Sequence, residues 1–226
     1  MVLKRDGLIT IAESENPLLE YYNGKWNVVD LKSASHALGC LLSDKFDTKE
    51  DEMPSMTQWE NISEKVMNLA YHLASHWHGA IIAILGNDVK FNEVFTEPSK
   101  DHEHMETMIN NQIGDLRKLN EKLPVINGES PEKIPDLCLE GIGRLLLSLS
   151  IQDGAIVFDQ DGNFKSCSRF VNSSEATKIE GGARKKASKV LSKKGIVISI
   201  SHDGGIVIFY TKNENEPENC IELRVR

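Results

Sequence analysis

The sequence predicts an α/β fold with a mixed central β-sheet flanked by helices, carrying a small N-terminal β-hairpin and helix appendage. Three observations lead there. Short runs rich in Ile and Val at 79–85, 155–158, 196–201 and 206–210 read as buried strands. Helical apolar spacing, with Val66, Leu69, Ala70 and Leu73 at i, i+3, i+4 and i+7, alternates with those runs. Several strands are also joined by tight turns, which makes their neighbours antiparallel and the sheet mixed.

Taken in order, residues 7–30 read as a hairpin or small meander. A turn at Glu15-Asn16-Pro17 separates 8–11 from Tyr21-Tyr22, and Asn23-Gly24 is a strong hairpin turn leading into 26–29. Residues 31–42 read as a short helix, and the acidic stretch 44–54 as an exposed linker. The chain is therefore divided into an N-terminal region, 1–55, and a main unit, 56–226. A helix from Ile62 feeds the strand at 79–85. Residues 86–100 read as irregular, 105–119 as a helix, 123–131 as a loop and 134–150 as a further helix. The strand at 155–158 turns at Asp159-Gln160-Asp161-Gly162 and returns over 164–170. A helix at 183–191 precedes a closing hairpin, whose strands at 196–201 and 206–210 flank a turn at 202–205. Residues 221–225 read as an edge strand.

Composition limits the function classes. With 226 residues, 40% hydrophobic and 27% charged, the chain is long enough to bury a full core. Its apolar runs are too short to cross a bilayer, and the first residues lack the apolar core of a signal peptide. Cys40, Cys138, Cys167 and Cys220 are scattered without CxxC spacing, which reads as reduced thiols in the cytoplasm. A formal net charge of −8 argues against a general nucleic-acid binder. Between Lys178 and Lys194, however, seven Lys or Arg stand against the single acid Glu180, enough to hold one anionic ligand on an acidic protein. Taken alone, that run also reads as the solvated face of an amphipathic helix.

Two segments carry the chemistry. Asp153-Gly154-Ala155 puts a carboxylate and a glycine at the mouth of an apolar strand. Gly181-Gly182-Ala183-Arg184-Lys185-Lys186 puts glycines and cations at the start of a helix. The first supplies a metal ligand or base; the second supplies backbone N–H groups and positive charge, as a polyphosphate requires. Asp-Gly before a strand is also a common turn, so it is the pair of segments that points to a ligand.

The order of elements and three short motifs resemble the diadenylate cyclase domain family over about residues 62–210. That family has Asp-Gly-Ala opening a strand, Gly-Thr-Arg-His-Arg-Ala-Ala at a helix start, and a strand ending in Ser-Glu. Here those places hold Asp153-Gly154-Ala155, then Gly182-Ala183-Arg184-Lys185-Lys186-Ala187-Ser188, then Ser201-His202. The resemblance implies that two domains meet face to face as a homo-oligomer, each with one ATP, and that two phosphoryl transfers join the nucleotides into cyclic di-AMP with release of pyrophosphate. Asp153 would be the catalytic carboxylate and the ligand of Mg²⁺ or Mn²⁺. Gly154 and Ala155 would let the strand approach the nucleotide. Gly182, Ala183, Arg184, Lys185, Lys186 and Ser201 would complete the nucleotide site. The partners so implied are ATP or a cyclic dinucleotide, with no nucleic acid and no membrane.

The departures define a second reading. Ala183 replaces the family's Thr and removes a hydroxyl donor; Lys185 and Lys186 replace His and Arg and lose planar geometry. His202 stands where the family has an acid. Such a site fits a catalytically degenerate domain that binds an adenine nucleotide or cyclic dinucleotide as a sensor. A third reading is a structural or interaction protein without a ligand. His72 and His76, at i, i+4, have a spacing that can bind zinc, but no Glu lies between them; His78 suits a helix end and His102 and His104 suit solvent. Ser201, His202 and Asp203 cannot converge as a hydrolytic triad from consecutive positions.

Overall fold

The computed structural model describes residues 2–5, 8–13, 16–22, 25–28, 31–46, 56–75, 78–97, 107, 153–172, 180–213 and 219–225. Four strands, β1 (Val2–Arg5), β2 (Leu8–Glu13), β3 (Asn16–Tyr22) and β4 (Lys25–Val28), form an antiparallel meander. Then come helices α1 (Leu31–Phe46) and α2 (Met56–Ser75), strand β5 (Ala80–Leu85) and a single helical turn, α3 (Phe91–Val94). The described C-terminal part holds β6 (Ala155–Asp159), β7 (Phe164–Arg169), α4 (Ala183–Leu191), β8 (Gly195–Ile200), β9 (Ile206–Tyr210) and β10 (Ile221–Val225).

All ten described strands join one mixed sheet in the order β1-β2-β3-β4-β10-β9-β8-β5-β6-β7. Parallel pairing occurs at β5/β6 and β4/β10, and the other pairs are antiparallel. The α/β class with a mixed, helix-flanked sheet is thus as the sequence predicts. Residues 221–225 depart from expectation: β10 is an inner strand, hydrogen-bonded to β9 on one side and β4 on the other. It carries the N-terminal meander onto the main sheet.

Strand β5 shows why its run is uniformly apolar. Ala80, Ile82 and Ile84 face one core with Leu38 and Leu42 of α1 and Ile62, Val66 and Leu73 of α2. Ile81, Ala83 and Leu85 face a second core with Val157, Val197 and Leu191 of α4. Period-two alternation therefore buries both faces of the strand, and α4 lies on the face opposite α1 and α2. Burying such side chains contributes about 25 cal/mol per Å² of apolar surface removed from water.

Other boundaries shift for identifiable reasons. Helix α1 runs on to Phe46, whose ring stacks on Trp59 at 5.9 Å, so residues 44–46 are helical where a linker was expected. Residues 47–55 lie outside the described residues, as do the helices expected at 134–150 and, except Thr107, at 105–119. The 86–100 segment is less irregular than expected: α3 is followed by a bridge between Phe95 and Val171. Strand β7 ends at Arg169, leaving Phe170 exposed.

Candidate functional site

Strand pairing brings the motifs to one end of the sheet. In the parallel β5/β6 pair Ile81 lies opposite Ala155, so Asp153, just ahead of β6, lies at the same end of the sheet as Gly79, just ahead of β5. In the antiparallel β5/β8 pair Ala80 lies opposite Ile200, which delivers Ser201 and His202 to the same end. Helix α4 packs on β8 and β5.

Asp153 is exposed at this end, just ahead of β6. Gly154 has φ +104°, and a β-carbon there would stand 2.5 Å from the Ser168 carbonyl carbon and 2.8 Å from the Arg169 nitrogen. Backbone packing between β6 and β7 therefore demands glycine at this position. Ser168 itself has φ 51°, and the β6/β7 register shifts between Ala155 and Val157, as at a bulge. The Ala155 methyl is buried in the core shared with Val157 and Leu191.

At the start of α4, Gly182 is the N-cap and has no side-chain cap; Gly181, Gly182 and Ala183 are exposed. The cations that follow separate by helix face. The Arg184 guanidinium lies over Gly79, where a β-carbon would stand 2.2 Å from Nη1 and 2.4 Å from Cζ. Arg184 Nη2 is also 3.0 Å from Nε2 of His202. Lys185 instead reaches Glu222 on β10 at 3.0 Å, joined by Lys189 at 2.8 Å. Burial pushes the Glu222 carboxyl up, but bonds from Lys189 and Lys185 outweigh it and hold the group below its usual range. Lys186 pairs with no carboxylate among the described residues.

The Ser201 hydroxyl donates to the Asp203 carboxylate and to the Gly205 carbonyl oxygen at 3.1 Å. The Ser201 bond, followed by backbone N–H bonds from Gly205 and from Asp203 itself, holds the Asp203 carboxyl below its usual range. Ser201 thus turns towards Asp203 and His202 towards Arg184, so the three do not form a triad.

Among the described residues no group of three or more His, Cys, Asp or Glu is placed to hold a metal ion. His76, His102, His104 and the His72 side chain lie outside the described residues. One exposed carboxylate, Asp153, does not make a resident metal centre. It does fit Mg²⁺ or Mn²⁺ arriving with phosphate oxygens and water, since such ions use one or two protein carboxylates.

Two neighbours of the α4 cations were missed by sequence reasoning. Gly79 was read only as the start of a strand, although a glycine beside a motif strand is a signal of close approach. Glu222 carried no signal, because its partners belong to a helix more than thirty residues away in the chain.

No family model and no curated protein matches this chain. Among solved structures it is similar to DacA from Staphylococcus aureus, in a double-mutant form, with a TM-score of 0.37 and 15% identity over 72% of this chain and 86% of that one. It is also similar to a hypothetical membrane spanning protein from Bacillus cereus, with a TM-score of 0.41 and 12% identity over 85% and 89% of the respective chains. No described helix of this chain is long and apolar enough to cross a membrane. Both TM-scores are low, and the likeness to DacA is a weak one of fold alone.

Proposed function

We propose that this chain is a diadenylate-cyclase-type nucleotide domain that joins two ATP molecules into cyclic di-AMP, each 3′-hydroxyl attacking the α-phosphorus of the other ATP as pyrophosphate leaves, with residues 56–226 as the nucleotide-binding unit and 1–55 as an addition to it. The observation that carries this reading is the meeting of Asp153, Arg184 and Ser201-His202 at one sheet end, from three separate stretches of chain. Asp153 would hold the cation that accompanies ATP and would stand by the attacking 3′-hydroxyl. A divalent cation there would offset charge on the transferring phosphoryl group. Arg184 binds a phosphoryl group through its planar fork, while the backbone N–H groups of Gly182 and Ala183 and the Lys186 ammonium add positive potential. Phosphoryl transfer depends chiefly on such alignment and charge stabilisation. Joining two nucleotides also requires two sites to meet, so the active species is a face-to-face homo-oligomer in the cytoplasm.

A second reading, a sensor that binds ATP or a cyclic dinucleotide without turnover, is favoured by two contacts. His202 rather than an acid faces Arg184, and Lys185 is engaged by Glu222. Incubation with ATP and Mg²⁺ or Mn²⁺, followed by chromatography, separates the readings. Cyclic di-AMP that disappears in Asp153→Asn is the expected result. No product, with ATP or cyclic di-AMP still raising the melting temperature, replaces the cyclase with the sensor. No product and no thermal shift overturns both.

A further inference from the structure

We propose that Gly79 and His202 form a seat that aims the Arg184 guanidinium at a phosphoryl group, so that a residue without a side chain sets how tightly the site takes a nucleoside polyphosphate. This rests on the nucleotide reading and adds to it two positioning residues.

One wall of the seat is an absence of atoms. A β-carbon at Gly79 would have Arg184 Nη1, Cζ and Nη2 as its three nearest neighbours, at 2.2, 2.4 and 2.6 Å. The Gly79 backbone lies outside the left-handed region, so its conformation does not demand glycine. The guanidinium does. The other wall is an acceptor. Arg184 Nη2 lies 3.0 Å from His202 Nε2, and a guanidinium only donates, so in this contact the ring nitrogen accepts.

The two walls come from different parts of the fold, the residue before β5 and the turn after β8. Together they hold a long side chain in one place before a ligand arrives, which lowers the ordering cost of binding. Arginine has five N–H donors, and the bond to His202 uses one, so the fork retains donors for phosphoryl oxygens. Nothing in the seat resembles a site for a neutral nucleoside.

The test is ATP affinity by calorimetry on the full chain at fixed pH and salt. Gly79→Ala adds one carbon whose three nearest neighbours all belong to the tip of a flexible side chain, so it displaces the guanidinium while leaving the melting temperature close to wild type. It is expected to weaken ATP binding about tenfold, the worth of a charge-assisted hydrogen bond. His202→Ala, at an exposed turn, gives a loss of similar size, and His202→Gln, which keeps an acceptor, recovers most of it. In an Arg184→Ala background neither Gly79→Ala nor His202→Ala weakens binding further, because all three act through one group.

Wild-type binding with Gly79→Ala and His202→Ala within twofold of it overturns the seat and leaves the nucleotide reading standing. Losses that add fully to that of Arg184→Ala do the same. Wild-type protein that binds neither ATP nor cyclic di-AMP overturns the nucleotide reading, and the seat with it.

Discussion

Where β5 and β6 finish, polar side chains are consumed internally, whereas where those strands begin, charge is left facing outward. At the finishing end the buried Asp159 carboxylate accepts from the backbone N–H of Asp161 at 3.0 Å, from that of Asn163 at 2.8 Å and from the Asn163 amide at 3.0 Å. Lys45 donates to the carbonyl oxygens of Lys193 at 2.9 Å and Thr211 at 2.7 Å. Asp44 accepts from Tyr210 and, at 2.8 Å, from Lys212. At the beginning end Asp153, Ala183 and His202 are exposed, and Arg184 leans on a ring nitrogen and a bare backbone. One sheet thus has a closed end that gives stability and an open end whose charges await a partner. A group satisfied by its neighbours stabilises the fold; one left half-satisfied is available to a ligand.

This contrast sets an order of stability effects. The largest belongs to Asp159→Ala, which strips acceptors from two backbone N–H groups and is expected to cost about 3 kcal/mol in urea unfolding. A cost below about 1 kcal/mol would break the claim that this end is closed. Next is Tyr210→Phe, which removes one bond to Asp44 and is expected to cost about 1 kcal/mol.

Its pH signature sharpens the comparison. Bonds from Lys212 and Tyr210 hold the Asp44 carboxyl below its usual range. The stability gained from it is present above the ordinary aspartate value of about pH 4 and is lost as pH falls through the lowered value. Burial and the Asp44 carboxylate push the Tyr210 hydroxyl above its ordinary range. That contribution is full below about pH 10 and is lost as pH rises through the raised value. Tyr210→Phe should therefore flatten both limbs of the stability profile, and an unchanged acid limb would remove Asp44 from the account.

The smallest stability effect is expected at the open end. Asp153→Asn should stay within about 0.5 kcal/mol of wild type in unfolding while abolishing the proposed cyclic di-AMP formation. A large destabilisation there would assign Asp153 to the turn before β6 and take it out of the site.

Much of the fold was legible. The antiparallel pairing of β3 with β4, in which Tyr22 lies opposite Lys25, is the one that the Asn23-Gly24 signal predicts. The helix expected at 183–191 has those bounds in the structure, because glycines precede it and its apolar positions follow helical spacing. Strand β1 escaped notice because four residues, Val2–Arg5, are too short a run to show alternation. The candidate site was proposed from the sequence as a set of motifs, with Asp153 and Arg184 both named. How Arg184 is held, and that Lys185 turns instead to Glu222, was not, since neighbours on α4 go to different partners according to helix face.

The sequence by itself determined the local events: which stretches alternate and are buried, where turns must fall, and where one helix begins with glycine and positive charge. These depend on spacings of two to four residues, which any reader of the chain can count. Only the tertiary structure decided that β10 sits between β4 and β9, and that Gly79 lies beneath a guanidinium from α4. The physical reason is that strand partners and register are chosen by burial over the whole sheet. A residue's neighbours across that sheet are fixed by this choice and not by the residues beside it in the chain.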